Sequence, residues 1–385
     1  MKILYVATQD NPLDLNAGSG ADYQYYHAFV RHGAEVKIIG PFVDRPSLLE
    51  RAYRKAHRLV SNRRYAKHSM AFLHQVARTV NKAVTSEPPD VVFSISTAAL
   101  AFCASSVPFV CRLDTPHIGY HEQYPLFSEV EWRRMAGWEK RTLRKASLVI
   151  TYSDWSAGIL SSFYHLPRAK IFVTPDPAAL PESAVPHTLD LQPREMKPLH
   201  LLLVGRNFRR KGVDIAIEVA KLLNQDGIPT ELHVVGLDGP GSDHTQFVGL
   251  FNKTIEPQLH AYVAQYQWAH FLLHPARFEP GGIVASEAAA FGLPTITNAA
   301  GGMATTVKHG VSGIVLPGAS PAQAYVAAIK PFLDDPAAYQ ALRRSTRQRY
   351  EDELNWKVTG GRLFQAVQEI VLEQREKHAA GPGQD

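Results

Sequence analysis

Cysteine is nearly absent. The chain has 385 residues and only Cys103 and Cys111, too few for a disulfide framework or a zinc knuckle, so a reducing compartment is expected. Residues Met1 to Thr8 lack the long apolar run and small-residue cleavage site of a secretory signal. Long uncharged stretches are scarce as well. Residues 91–111 carry no charge, but five Ser/Thr and Pro108 interrupt them, so they read as strand, short helix, strand rather than as a membrane span. Glycine and proline, 26 each, are near average, which excludes collagen-like and low-complexity chains. No Asp-x-Asp occurs, no G-x-x-x-x-G-K-[ST] phosphate loop, and no complete G-x-G-x-x-G after the first strand.

What the chain does have is an uneven charge distribution. Residues 1–190 hold 22 Lys/Arg against 17 Asp/Glu, whereas residues 191–385 hold 19 of each, so the net charge of +5 lies wholly in the first half. Within it, residues 51–68 carry seven Lys/Arg, two His and no acid. Apolar residues recur there at helical spacing (Leu48/Leu49, Ala52/Tyr53, Ala56, Leu59/Val60), ringed by Arg51, Arg54, Lys55, Arg58, Arg63 and Arg64. Such a helix suits an anionic membrane or an acidic partner, although a solvated basic helix has the same pattern.

Short apolar runs alternate with helical stretches: Lys2–Thr8, a helix from about Asp22 to Arg31, Glu35–Ile39, Asp90–Ile95, Val107–Leu113 and Leu148–Tyr152. That alternation predicts βαβ units and a mainly parallel sheet, with ligands at the carboxyl ends of the strands. Residues 176–198 contain five prolines and little periodicity, as in an interdomain linker. A second α/β series follows, with strands at Leu199–Val204, Glu231–Val235, Ala269–Leu273, Thr295–Thr297 and Ile314–Leu316, and a helix at Gly212–Asn224. Pro336 to about His378 is mostly helical in pattern.

Two segments concentrate chemistry. Gly205 to Gly212 (GRNFRRKG) lies between a strand and a helix, where orphan N–H groups, a positive helix end, Arg206 and Lys211 suit a diphosphate. Arg277 to Pro294 carries Glu279 and Glu287 eight positions apart, with Gly281 and Gly282 allowing close backbone approach. A helix starting near Gly282 would put Glu279 before it and Glu287 about one turn in, both on one cleft. The alternatives are a basic surface loop, and an N-capping carboxylate with a solvated helix residue.

Arg206-x4-Lys211 followed by Glu279-x7-Glu287, with Phe291-Gly-Leu-Pro294 closing the block, resembles the retaining glycosyltransferases of the GT-B fold, family 4. The resemblance covers nearly the whole chain. It implies an α/β architecture of two Rossmann-like domains with parallel sheets facing across a cleft: an acceptor-side domain over 1–176, a linker over 177–198 and a nucleotide-sugar domain over 199–345. It also implies a helical segment over 346–378 returning to the first domain, and a disordered tail over 379–385. In that family Arg206 and Lys211 would bind the diphosphate, Glu279 the sugar hydroxyls near the reaction centre and Glu287 the ribose. Main-chain N–H groups of Gly281, Gly282 and Ile283 would face the phosphates or sugar. Gly18 and Gly20, in Asn16-Ala-Gly-Ser-Gly-Ala21, fit the glycine loop that approaches the donor from the first domain. Gly281 departs from the bulky residue or Cys usual there. Asp114 aligns with the family's catalytic histidine, and His117 and His121 follow closely.

The resemblance thus implies transfer of a hexose from a UDP- or GDP-sugar to a glycan or lipid-linked acceptor, with retention at the anomeric carbon. No metal or cofactor is expected, because cationic side chains and helix dipoles can meet the charge of the leaving diphosphate. The expected location is cytoplasmic, with peripheral, reversible contact at an anionic inner membrane face and no nucleic-acid partner. A nicotinamide oxidoreductase or sugar-nucleotide epimerase would share the Rossmann texture but needs the missing glycine motif and an acid ending the second strand. A non-enzymatic basic-surface binder would leave the two-glutamate block unexplained.

Overall fold

The computed structural model describes residues 1–8, 10–15, 20–61, 68–104, 106–123, 125–189 and 191–379. Gly18, Arg63 and Arg64 lie outside the described residues, as does the tail from 380 onward. The chain divides into two units, Met1–Thr174 with Gly360–Asp385, and Pro175–Thr359.

The first unit is built on six parallel strands: β1 (Lys2–Val6), β2 (Glu35–Ile39), β3 (Val91–Ser94), β4 (Phe109–Leu113), β5 (Leu148–Thr151) and β6 (Ile171–Val173). Their order is β2-β1-β3-β4-β5-β6, so the winding direction reverses between β1 and β3. Among the described residues, the helices between these strands are α1 (Ala21–Arg31), α2 (Leu48–Ser61), α3 (Met70–Ser86), α4 (His117–Gln123), α5 (Glu129–Lys145) and α6 (Asp154–Ser162). Ser69 caps α3 by accepting the Phe72 N–H at 3.1 Å, and Ser153 caps α6 in the same way at Ser156. The central strands are buried on both faces, so they read as continuous apolar runs and not as alternations. The uncharged window at 91–111 is β3, a short 3-10 turn at Ala98–Leu100, and β4. Both cysteines are free and buried, and burial pushes each thiol up to about 12. No helix among the described residues is long and apolar enough to cross a membrane.

The second unit has another six-stranded parallel sheet: β7 (Leu199–Val204), β8 (Thr230–Val235), β9 (Thr245–Gly249), β10 (Phe271–His274), β11 (Thr295–Asn298) and β12 (Gly313–Leu316). The order β12-β11-β10-β7-β8-β9 places the reversal between β7 and β10. The helices are α7 (Phe208–Lys211), α8 (Val213–Gln225), α9 (Glu256–Trp268), α10 (Ile283–Ala290), α11 (Met303–Thr306), α12 (Ala322–Asp334) and α13 (Pro336–Asp352). One face of the sheet is covered by α8 and α12, through Val213, Ala216, Val219, Leu223, Tyr325 and Ile329. The other face is covered by α9 and α10, through Leu259, Tyr262, Val263, Tyr266, Ala285 and Ala288.

The proline-rich segment is held against the second unit. Ala178, Ala179, Leu180 and Met196 are buried, and Arg343, Arg347 and Arg194 donate to carbonyls at Gln192, Pro186 and Trp268 or across to Ala269. Its residues therefore belong to the second unit, fixed by arginines whose partners are main-chain oxygens. The last helix, α14 (Trp356–Ala379), carries the chain out of the second unit and back to the first from Gly360, while 346–359 stay with the second. In the first unit Gly360 lies against Ala28 of α1, where an added Cβ would come within 3.0 Å of the Ala28 Cβ, and Phe364 stacks on His32.

Candidate active site

In an open α/β sheet the loops on either side of a winding reversal diverge and leave a crevice at the strands' carboxyl ends. In the second unit those loops are Gly205–Gly212, after β7, and Pro275–Gly282, after β10. The first segment singled out in the sequence is the first of these loops, and the second begins in the other and runs on through α10 (Ile283–Ala290). Arg277 stitches them together. Its N–H donates to the Arg210 carbonyl at 2.8 Å, and its guanidinium grips the Asp214 carboxylate at 2.8 and 2.6 Å and the Arg209 carbonyl at 2.7 Å.

Asn207 caps α7, its side chain accepting the Arg210 N–H at 2.8 Å, and this one-turn helix aims Lys211 inward. The Lys211 stem crosses Gly205 so closely that an added Cβ there would stand 2.5 Å from the Lys211 Cγ. Its ammonium donates to Glu279 Oε2. Arg210 Nη1 reaches the same oxygen at 3.2 Å and the Phe278 carbonyl at 3.1 Å, and His274 Nε2 stands 3.4 Å from it. The Glu279 main chain is locked in turn. Its carbonyl accepts the Gly302 N–H at 2.8 Å, and Gly301, at φ +59°, lies so close that any side chain would collide with that carbonyl.

Burial by itself would raise the Glu279 pKa, but Lys211, His274 and Arg210 outweigh it and hold the carboxyl well below the usual range. The ammonium of Lys211 is lowered by burial and by Arg210, against the pull of Glu279. His274, wholly buried, is lowered by burial and by Lys211, with Glu279 opposing. Arg206 is exposed and makes no hydrogen bond or ion pair with a described residue. The N–H groups of Gly281, Gly282 and Ile283, at the start of α10, donate to no described acceptor, as the geometry of a helix N-terminus dictates.

Glu287 is buried more deeply than Glu279. It is the fifth residue of α10 and fully buried. Tyr262 and Tyr266, one turn apart on α9, donate to Oε2 at 2.6 and 2.7 Å, and Lys253 Nζ donates to Oε1 at 2.6 Å. Burial and the Glu287 charge raise both phenols well above their ordinary value, so they remain donors. The carboxylate is inside because its charge is met there by a cation and two hydroxyls.

The first unit brings Asp114 and His117 to the carboxyl end of β4. Asp114 Oδ1 accepts the Thr115 N–H at 2.7 Å, and the Asp114 carbonyl accepts from Ser156 Oγ at 2.9 Å. His117 is half-buried, and its backbone N–H donates to Glu139 Oε2 at 2.9 Å. Glu139, missed in the sequence, is a buried hub that also takes bonds from Tyr164 and from Thr97 Oγ1 at 3.0 Å. Gly20 is buried at φ +79° ahead of α1.

The basic helix corrects one expectation. Arg54 does not belong to the outer surface: it is half-buried, bonded to Asp44 at 3.1 Å and Glu50 at 2.9 Å. His57 also turns inward, to Ser128 Oγ at 2.9 Å. Arg51, Lys55 and Arg58 are exposed, and so are Leu48, Leu49, Leu59 and Val60, at 77, 85, 78 and 90%. The helix thus turns Arg54 and His57 toward the protein and leaves apolar and basic residues together on its outer side.

Three residues of the second-unit site were not apparent from the motif: His274, Arg210 and Lys253. His274 ends β10 in the dipeptide His-Pro, and Arg210 is one of three consecutive basic residues; only Lys253, a lone lysine in a loop, carried no signal.

Two α/β units of this kind, each a six-stranded parallel sheet, define the GT-B fold. Sucrose-phosphate synthase from Thermosynechococcus elongatus superposes with a TM-score of 0.69 at 20% identity, over 97% of this chain and all of that one. HepE of Anabaena, in complex with UDP and glucose, gives 0.62 at 18% identity, over 96% of this chain and 100% of that one. The Glycosyltransferase Family 4 model matches residues 23–178, and the model for Glycosyl transferases group 1 matches residues 191–349. The chain belongs to glycosyltransferase family 4. D-inositol 3-phosphate glycosyltransferase 1 of Catenulispora acidiphila is 36% identical over an alignment of 163 residues that covers 38% of this chain and 39% of that protein, so the match spans well under half the relative's length.

Proposed function

We propose that the chain moves a hexose from a UDP- or GDP-sugar to a glycan or lipid-linked acceptor, with retention at the anomeric carbon and without a metal ion. The observation that carries this reading is the convergence of Arg210 and Lys211 on Glu279 at the winding reversal of the second sheet, in the loop that also carries Arg206. Lys211 and Arg206 would take the diphosphate, joined by the N–H groups of Gly281, Gly282 and Ile283. That arrangement supplies charge where the leaving group develops it, which is the electrostatic role such sites play. Glu279 would then accept from sugar hydroxyls through the carboxylate that its cationic neighbours keep ionised. Glu287 would meet the ribose through Oε1 once Lys253 leaves it, since the tyrosines fill Oε2. By family position alone, Gly18 and Gly20 would take part in donor binding and Asp114 and His117 in catalysis. The UDP and glucose held by HepE support a nucleotide-sugar donor.

The same proposal includes a reversible contact with an anionic membrane face through α2. Its outward apolar residues and exposed Arg51, Lys55 and Arg58 match an anionic lipid surface, with each basic residue contributing on the order of 1 kcal/mol at low salt. Replacing Arg51, Lys55, Arg58 and Arg63 by Gln should abolish binding to anionic vesicles and spare donor binding. Indifference of the wild type to such vesicles at low salt would remove the membrane from the account.

The enzymatic proposal is tested by proton NMR of UDP- and GDP-sugar turnover with and without EDTA. Consumption in EDTA with a product of unchanged anomeric configuration is expected. A strict Mn²⁺ requirement or inversion would overturn the corresponding part.

A further inference from the structure

His274 poses a problem of its own. It is 0% exposed, and neither ring nitrogen makes a hydrogen bond of proper geometry with a described residue. A polar ring left unpaired in a core is costly compared with an apolar side chain of similar size, so a state in which the ring is paired is to be looked for. The geometry indicates which. Nε2 already stands 3.4 Å from Glu279 Oε2, held off while the Lys211 ammonium and Arg210 Nη1 occupy that oxygen. The charged groups acting on the ring are Lys211 and Arg210 from α7 and Glu279 from the loop after its own strand.

This inference rests on the donor site proposed above. A diphosphate arriving at Lys211 competes with Glu279 for the ammonium. Once Lys211 turns to the phosphates, Glu279 is a buried carboxylate that has lost its nearest cation, and breaking such a pair without compensation is strongly unfavourable. We propose that His274 is a proton-accepting positioning residue: when the donor diphosphate draws Lys211 off Glu279, His274 takes one proton from solvent and becomes the carboxylate's counter-charge. Two changes favour this step together. A cation leaves the ring's surroundings and an anion enters them, and both stabilise an imidazolium. The proton comes from bulk solvent, and the Nε2–H then donates to Oε2, so the carboxylate keeps its place for the sugar. Donor binding and proton uptake are therefore linked, and by reciprocity alkaline pH weakens donor binding.

The test is calorimetric titration of the whole chain with UDP-glucose and with GDP-mannose at pH 7.5, in buffers of different ionisation enthalpy. These probes carry diphosphate diesters, with no phosphate group titrating near neutrality. Uptake of a substantial fraction of one proton per donor bound is expected for the wild type. For His274→Gln, which keeps a donor for Oε2 but cannot be charged, binding persists with no uptake. Wild-type binding whose heat is independent of the buffer would overturn the inference, and so would undiminished uptake in His274→Gln. Absence of any binding heat in the wild type for either probe would instead strike the donor-site reading on which it rests. Because the wild-type measurement stands alone, an unstable variant does not blunt the test. His274→Asn is the second variant if Gln fails to fold.

Discussion

Lys211 and Glu279 form a buried ion pair that joins the loop after β7 to the loop after β10, and the ammonium reaches Glu279 by lying across Gly205. Removing one member leaves a buried charge exposed to the penalty of its own desolvation. Lys211→Met should cost about 3 kcal/mol of stability, the low end of the usual range because Arg210 and His274 remain beside Glu279. Lys211→Met with Glu279→Gln should recover most of that loss. Urea unfolding of the two variants measures both.

Lys211 and Arg206 should act together on the leaving diphosphate. Alanine at either position is expected to lower turnover by roughly 10²-fold or more. Normal turnover in the double variant would place the diphosphate elsewhere.

Gly205→Ala puts a methyl group 2.5 Å from the Lys211 Cγ and must displace that side chain. The expected cost in stability is about 1–3 kcal/mol, from overpacking. Turnover should fall as it does in Lys211→Ala, and combining the two substitutions should add little, since both act through the same ammonium. Additive losses in turnover would mean that Gly205 matters for another reason.

Glu287→Ala should weaken nucleotide binding by roughly 1.5–3 kcal/mol, the worth of a charged hydrogen bond. Tyr262→Phe removes one of two phenols from Oε2 and should weaken it less. Unchanged affinity of Glu287→Ala for both UDP and GDP would remove Glu287 from the site.

A separate pH dependence is expected from the back of the second sheet. His270 Nδ1 accepts the His200 N–H at 2.9 Å, and burial lowers the ring from 6.5 to about 3. The folded state keeps it neutral while the unfolded chain binds a proton below about 6.5. Stability should therefore fall as pH drops from 6.5 toward 3, at up to about 1.4 kcal/mol per pH unit. Glu279, lowered in the folded state, adds its own loss only below the ordinary carboxylate pKa, near 4.5. His270→Asn should flatten the slope between pH 4.5 and 6.5. An unchanged slope in thermal unfolding across that interval would contradict the assignment.

Much of the fold was legible because parallel strands buried on both faces are continuous apolar runs, and β3, β4 and β5 lie where such runs fall. The short strands β6 and β9 were not read. Ile171–Val173 is only three residues long, and Thr245–Gly249 is an edge strand with polar and half-buried positions. The hold on the linker was not legible: proline density reports a lack of periodic secondary structure, and the arginines of α13 supply the bonds that hold such a segment down. At the site, the loops carrying Lys211 and Glu279 were visible from their glycines and charges. The burial of Glu287 was not, because it depends on Lys253 and on two tyrosines of α9, distant in sequence. On α2 the pattern of apolar and basic residues was plain, but not which side faces the protein. That is set by Asp44 and Ser128, which hold Arg54 and His57.

The central claim is that the β7–β10 reversal is a nucleoside diphosphate sugar site whose charge comes from Lys211 and its neighbours. Equilibrium titration of the wild type and of Lys211→Ala with UDP- and GDP-sugars tests it most directly. Saturable binding of at least one donor by the wild type, reduced by roughly tenfold or more in the variant, is the predicted result. Equal affinity in the two proteins, or no binding of either donor by the wild type, would contradict it.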